Sequence, residues 1–355
     1  MSKSARRGDC LVYGSALAHR GGTGVYLRRL LRGLCAEEAA VRVVSPAGAL
    51  TPDGALEFRG WPHGPQKLVF DYLSAPRIAR GAGAGAVHLP AFAGRPPRGT
   101  PSVVTVHDMA YLARPSWFPP LRSLYYRLVF TRVARAADLV MTDSGFTGRE
   151  AVRLAGVDPD RIRTVHLCAD NVAADPAPLL KRLGLEPGYL LCVGTVEPRK
   201  NLPALLDALS ILREEGRDLM LLVAGRWGWG SADLRRRLAS QQGVLWAGPL
   251  GRRDLERAYC GASLLVYPSL YEGFGLPPLE AARVGVPSVV GPAEALREIY
   301  ADAAFQSAGD PASLAQTVEE ALESPAPAGM EDLAERLTCR RMARTVADVY
   351  RELLR

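Results

Sequence analysis

At 355 residues the chain is long enough for two domains of ordinary size, each with its own core. Hydrophobic residues at 48% and charged residues at 23% describe a globular protein, and no apolar run approaches the ~20 residues that a membrane-spanning helix needs. The net charge of +7 raises the question of nucleic acid, but the arginine clusters (Arg28-Arg29, Arg235–Arg237, Arg252-Arg253, Arg340-Arg341) are scattered over helical patterns without interleaved aromatics, which argues against that partner.

In chain order, the basic N-terminus is followed by only Leu11-Val12-Tyr13-Gly14 before polar residues return, too short for the apolar core of a signal peptide. Strands are predicted near Cys10–Tyr13, Val41–Ser45, Val87–Leu89, Val103–His107, Leu139–Thr142 and Ile162–Leu167, with helices near Val25–Cys35, Leu121–Ala136 and Thr147–Leu154. The second half repeats the scheme. Its strands fall near Leu190–Val193, Met220–Ala224, Val244–Trp246, Leu264–Tyr267 and Ser288–Val290, and its helices near Leu202–Glu214, Ala232–Ser240, Asp254–Ala258 and Leu296–Ala301. Regular βα alternation means α/β architecture with parallel sheets covered on both faces, here as two doubly wound, Rossmann-like domains. The expected division is 1–172, a Pro- and Ala-rich linker at 173–180, a second domain at 181–338 and a last helix at 339–355. The six cysteines (Cys10, Cys35, Cys168, Cys192, Cys260, Cys339) form no CxxC pair and several lie in apolar runs. They read as buried free thiols of a reducing compartment, with the cytoplasm as the expected location.

The segment Glu272-Gly-Phe-Gly-Leu-Pro-Pro-Leu-Glu280 carries the most chemistry. Gly273 and Gly275 favour a loop that a ligand can approach closely, and Pro277-Pro278 suit the first turn of the helix that follows. One carboxylate then precedes an anion-favouring helix start and one lies on the helix, a layout for a ligand with both phosphates and hydroxyls. The bland alternative is a capping box opened by Ser269. Upstream, Glu197-Pro-Arg-Lys-Asn201 ends a strand, with Asn201 placed to cap the next helix and Arg199 and Lys200 placed to meet a diphosphate. Lys200 is one of four lysines (with Lys3, Lys67 and Lys181) in a chain of 44 basic residues, which marks a position wanting a compact ammonium. Asp158-Pro-Asp160 is the only Asp-x-Asp and stands in a turn context, so no metal site is expected. The stretch Pro115–Arg135 holds four arginines, five aromatics and no acid. It reads either as a helix packed on the sheet with its arginines outward or as a surface resting on an anionic membrane or a lipid-linked acceptor.

Glu-x7-Glu followed by Gly285-Val-Pro287, with Gly194-Thr-Val-Glu-Pro-Arg-Lys-Asn201, Val106-His-Asp108 and Gly21-Gly-Thr-Gly24 upstream, resembles the retaining family-4 glycosyltransferases of GT-B fold over almost the whole chain. The resemblance implies two domains facing each other across a cleft and transfer of a hexosyl group from a nucleoside-diphosphate sugar to an acceptor hydroxyl, with no metal and no cofactor. It assigns Glu272 to the transferred sugar, Glu280 to the ribose, Arg199 and Lys200 to the diphosphate and His107 to the sugar's hydroxyls. Gly22, Thr23 and Gly24 lie near the phosphates, with Gly273, Phe274, Gly275, Leu276 and Leu250 among the donor contacts. Where many relatives carry an arginine five residues before the lysine this chain has Thr195, so the guanidinium role falls to Arg199. Leaving-group stabilisation would then be electrostatic, with front-face attack rather than a covalent intermediate. GDP-mannose leads narrowly over dTDP- and UDP-sugars as donor. A glycan, a glycolipid or a natural product would be the acceptor, and peripheral contact with the inner membrane face is a further expectation. A sugar-nucleotide epimerase or a phosphorylase on the same fold, and a non-catalytic basic binding protein, stay open as alternatives.

Overall fold

Strand runs without polar alternation belong to sheets covered on both faces. The computed structural model, which describes residues 9–18, 21–46, 56–58, 66–92, 94–170 and 173–355, builds two all-parallel sheets from them. The chain divides into two units, residues 1–168 with 337–355 and residues 169–336. The basic N-terminal stretch 1–8 and the expected boundary residue 172 lie outside the described residues.

In the first unit β1 (Cys10–Tyr13), β2 (Val41–Pro46), β3 (Leu56–Phe58), β4 (Ala86–Leu89), β5 (Ser102–Val106), β6 (Leu139–Thr142) and β7 (Ile162–Thr164) run in the order β3-β2-β1-β4-β5-β6-β7. Helices α1 (Gly22–Ala36), α2 (Gln66–Gly81), α3 (Ala110–Ala113), α4 (Pro120–Ala136) and α5 (Gly145–Glu150) connect them. In the second unit β8 (Tyr189–Val193), β9 (Leu221–Ala224), β10 (Val244–Gly248), β11 (Ala262–Tyr267), β12 (Ser288–Val290) and β13 (Phe305–Gln306) run in the order β10-β9-β8-β11-β12-β13. Here the helices are α6 (Ala177–Leu183), α7 (Leu202–Glu214), α8 (Ala232–Ser240), α9 (Arg252–Gly261), α10 (Leu276–Ala282), α11 (Glu294–Tyr300), α12 (Pro311–Glu323) and α13 (Gly329–Arg336). Leu202, Leu205, Leu209 and Leu212 of α7 bury one helical stripe, joined in the same core by Leu314 and Val318 of α12.

The final helix, α14 (Cys339–Leu353), belongs to the first unit, where it buries Met342, Val346, Val349, Tyr350 and Leu353 at helical spacing. Arg340 and Arg344 reach Glu37 at the end of α1 at 2.6 and 2.7 Å. Tyr350 meets His88 of β4 at 2.6 Å, and the other ring nitrogen of His88 meets Thr105 at 2.7 Å. Burial, with the nearby His107 adding to it, pushes the His88 imidazole down to about 3, so this histidine is a neutral part of the core.

Several expectations change. Cys168 and Cys339 are disulfide-bonded, with Cα atoms 5.0 Å apart across a sequence separation of 171, so the six cysteines are not all free. The pairing was invisible in the sequence because only the return of α14 brings Cys339 to the end of the first sheet. It also removes the free-thiol argument for a reducing compartment, and of the remaining four only Cys10 and Cys192 are buried. Gly22, Thr23 and Gly24, which the resemblance places near the phosphates, form the first turn of α1. The first unit closes at Cys168 rather than 172, and α6 occupies part of the segment read as linker. Strands β3 and β13 and helices α2, α12 and α13 had no sequence expectation, β3 and β13 being too short for a periodicity signal.

Candidate functional site

The second sheet changes direction between β8 and β11, and open α/β sheets take ligands outside the carboxyl ends of the strands at that point. A cleft lies there, lined by Gly194, Thr195, Lys200, Tyr267 and Ser269 among others. Gly194 leaves β8 with φ +151°, a backbone setting that side-chain-bearing residues rarely adopt, and a Cβ there would face the Lys200 stem at 3.4 Å.

Arg199 and Lys200 occupy a short 3-10 turn, Pro198–Lys200, directly before α7. Asn201 holds the N-cap position with a left-handed backbone (φ 54°), but its side chain makes no cap bond and donates instead to the carbonyl of Gly309 at 2.7 Å. The expected capping role is therefore replaced by a tie to the loop before α12. The carbonyl of Arg199 accepts from the Leu270 amide at 2.8 Å, which fixes the turn against the loop carrying Glu272.

On that loop Glu272 is 7% exposed and faces two cations. Its Oε2 accepts from Arg199 Nη1 at 2.7 Å, and its Oε1 accepts from Lys200 Nζ at 2.5 Å and from the Tyr267 hydroxyl at 2.9 Å. Burial alone would raise the carboxyl pKa, but Arg199 and Lys200 outweigh it and hold Glu272 down to about 2. Burial pulls the Lys200 ammonium below its usual value despite the support of Glu272. Arg199 also donates through Nε to Glu197 at 2.5 Å. Lys200 donates a second bond to the Tyr267 hydroxyl at 2.5 Å, which leaves one of its three N–H groups without a partner among the described residues, beside the cleft. The cluster thus balances two carboxylates against two cations, whereas the sequence had set Arg199 and Lys200 aside for phosphate and Glu272 for sugar.

Beyond Glu272 the chain turns sharply into α10. Gly275 sits at φ +89° and a Cβ there would stand 2.4 Å from Leu296, so the position admits glycine alone. Pro277 and Pro278 follow in the first helical turn, as the sequence predicts. Phe274 is 2% exposed with its ring edge-on to Tyr300, so its side chain anchors the loop in the core. Glu280 opens onto a second cleft, lined with Asp170, Arg252, Leu255 and Tyr259. Its Oε2 accepts from the Tyr259 hydroxyl at 2.9 Å and its Oε1 faces Arg252 at 3.3 Å. Leu250 stands in the turn before α9, half-buried, and lines neither cleft.

In the first unit His107 leaves the end of β5, and its Nδ1 pairs with Asp143 at 2.8 Å. Burial disfavours the imidazolium, but Asp143, with Asp108 behind it, more than offsets this and raises its pKa. Its Nε2 is buried with no hydrogen-bond partner among the described residues. Tyr26, two residues beyond Gly24, packs edge-on to the His107 ring at 4.8 Å, so α1 and His107 form one patch. Sequence reasoning missed Asp143, Tyr267, Tyr259, Arg252 and Glu197. A signal existed for Asp143, because β5 and β6 run parallel with Val106 opposite Thr142, which sets the next residues side by side. Asp158 and Asp160 form a turn, Asp158 accepting from the Asp160 amide at 3.1 Å, and among the described residues no cluster of three metal-ligating side chains is present.

Residues 20–171 match the family described as Glycosyltransferase Family 4, and residues 187–324 match Glycosyl transferases group 1. Over 212 residues the chain is 36% identical to the O-antigen chain mannosyltransferase B of Escherichia coli, covering 57% of this chain and 56% of that protein. The chain thus spans little more than half the length of that curated relative. Among solved structures it resembles a sucrose-phosphate synthase from Thermosynechococcus elongatus (TM-score 0.77, 17% identity, 97% of this chain and 98% of that one). It also resembles Anabaena HepE in complex with UDP and glucose (TM-score 0.71, 17% identity, 97% and 99%). At such identity these two show the fold alone, and the fold is GT-B.

Proposed function

Because the chain belongs to the family-4 glycosyltransferases of GT-B fold, we propose that it moves a hexosyl group, with mannose narrowly favoured, from a nucleoside-diphosphate sugar to a hydroxyl of a glycan, glycolipid or natural product. The anomeric configuration is retained in this reading, and no metal takes part. The observation that carries it is the Glu272–Arg199–Lys200 cluster beside the cleft at the sheet's switch point. A departing diphosphate needs fixed positive charge, and the remaining N–H of Lys200, with the guanidinium of Arg199 behind it, supplies donors that need no reorganisation. Glu272, ionised at any working pH, cannot serve as a proton donor. It holds both cations in place and stabilises positive charge as the glycosidic bond breaks. Glu280, with Tyr259 and Arg252 beside it, supports a ribose subsite, because a carboxylate at a cleft accepts from vicinal hydroxyls. His107, with its unpartnered Nε2 and Asp143 fixing the ring, supports a bond to a sugar hydroxyl. The mannose preference draws on the E. coli relative, whose name states mannosyl transfer.

The test is a panel of nucleotide sugars that includes GDP-mannose, with released nucleoside diphosphate read with and without acceptor and with and without EDTA. Release from one donor, stimulated by acceptor and unaffected by EDTA, with product of unchanged anomeric configuration by NMR, is the expected result. Restoration by Mg²⁺ after chelation would overturn the metal-free account, an inverted product would overturn retention, and epimerised donor without release would replace the transferase reading.

A further inference from the structure

Helix α4 presents apolar residues on two opposite faces. Phe130, Val133 and Ala134 are buried on one, together with the polar Ser123. Leu121, Leu124 and Leu128 form a stripe on the other at helical spacing, 85%, 52% and 50% exposed. The buried stripe takes up Phe130 but none of the helix's three leucines, all of which face outward. Three exposed leucines in line are not the scattered surface hydrophobics of an ordinary protein. Arg127 and Arg132 flank the stripe, exposed, and Arg114 stands exposed just before the helix. None of the three forms an ion pair among the described residues, and from Pro115 to Arg135 the chain has no acidic residue at all. The positive charge is therefore uncompensated where the apolar surface is uncovered.

We infer that the outer face of α4 docks on an anionic lipid bilayer, the leucines entering the headgroup boundary and the arginines meeting lipid phosphates. An apolar stripe alone would fit a second copy of this chain or another protein equally well. The arginines decide between them: a second copy would bring the same cations against these, a like-charge contact, whereas an anionic bilayer complements both features together. Either feature alone gives weak, reversible binding, and the two together give the stable kind.

The test is flotation of the full chain with vesicles of phosphatidylcholine, and of phosphatidylcholine mixed with phosphatidylglycerol. The unaltered chain should float with the mixed vesicles and not with the neutral ones, and added salt should release it. Leu121→Ser/Leu124→Ser/Leu128→Ser should bind the mixed vesicles at least about tenfold more weakly. Arg127→Gln/Arg132→Gln should lose roughly fivefold per arginine and much of the salt dependence. Both changes lie on solvent-facing positions, so melting curves should match the unaltered chain; if the leucine variant fails to fold, the arginine variant alone decides. Absence of flotation, equal flotation with both vesicle types, or unchanged binding by the variants would each overturn the inference. So would a dimer in sedimentation that the leucine changes dissociate, which would assign the stripe to a second copy. Nucleoside diphosphate release from a water-soluble donor is read in the same samples and should not change, which separates failure of membrane docking from failure of the transferase reading.

Discussion

Glu272 and Glu280 stand eight residues apart, yet their surroundings differ in kind. Glu272 is buried, bonded to two cations and a tyrosine, and held down to about 2. Glu280 lies at the mouth of a cleft, with one tyrosine hydroxyl at 2.9 Å and one guanidinium at 3.3 Å. The first is a charged strut that holds two cations in place, while the second accepts from a tyrosine and faces a guanidinium at the lining of a cleft. Two identical side chains thus acquire different duties from what packs beside them.

The largest effect is expected where the strut is removed. Glu272→Gln takes the carboxylate away from Lys200 and leaves Arg199 with Glu197 as its acidic partner, so it should lower the stability of the second unit by about 3 kcal/mol and turnover by ~10² to 10³-fold. Binding of free nucleoside diphosphate, measured by calorimetry, should survive, because the cations are then no longer neutralised. Without its carboxylate neighbour Lys200 should lose its proton at lower pH, so the variant's residual activity should fall off earlier on the alkaline side. Lost nucleotide binding with retained turnover would reverse the assigned role.

Lys200→Ala removes one of the two cations and should slow turnover ~10²-fold while weakening nucleoside diphosphate binding. Near-normal kinetics would return Lys200 to a purely structural partner of Glu272. Smaller still is Glu280→Gln, which should raise KM for the donor about tenfold with kcat changed less, since a ribose contact is made equally in the ground and transition states. A kcat loss as deep as that of Glu272→Gln would erase the contrast between the two carboxylates.

The smallest effect is on acid stability and sharpens the comparison without activity. Because the folded-state pKa of Glu272 lies below the usual 4.5, its contribution is complete above that value and is lost as the pH falls towards about 2. The stability gap between the unaltered chain and Glu272→Gln, followed by denaturant titration, should therefore shrink over that interval. A gap that is constant with pH would mean that the carboxylate is not preferentially ionised in the fold.

Local pattern carried much of this. The strands Cys10–Tyr13, Leu139–Thr142 and Ser288–Val290 and the helices Leu202–Glu214 and Ala232–Ser240 have the bounds that their apolar runs and spacing predict. Gly275 and the prolines after it behave as loop and helix start because φ preference and a missing N–H are properties of the residue itself. The packing of Phe274 on Tyr300 was not legible, because an aromatic between two glycines carries no sign of its partner. Asn201 misled because its backbone is left-handed and its side-chain Nδ2 donates to the Gly309 carbonyl, more than a hundred positions away, which turns the side chain from the helix end.

The amino-acid sequence by itself determined the alternation of strand and helix, the two parallel sheets and the family, all of which rest on interactions between near neighbours or on ordered motifs. Only the tertiary structure decided that Arg199 and Lys200 are bound to Glu272, that His88 is neutral while His107 is paired with Asp143, that Cys168 meets Cys339, and that three leucines of α4 face outward. Charge state, pairing and exposure depend on the distance to groups remote in the chain and on how much water remains between them. Packing sets those quantities, and no window of sequence contains them.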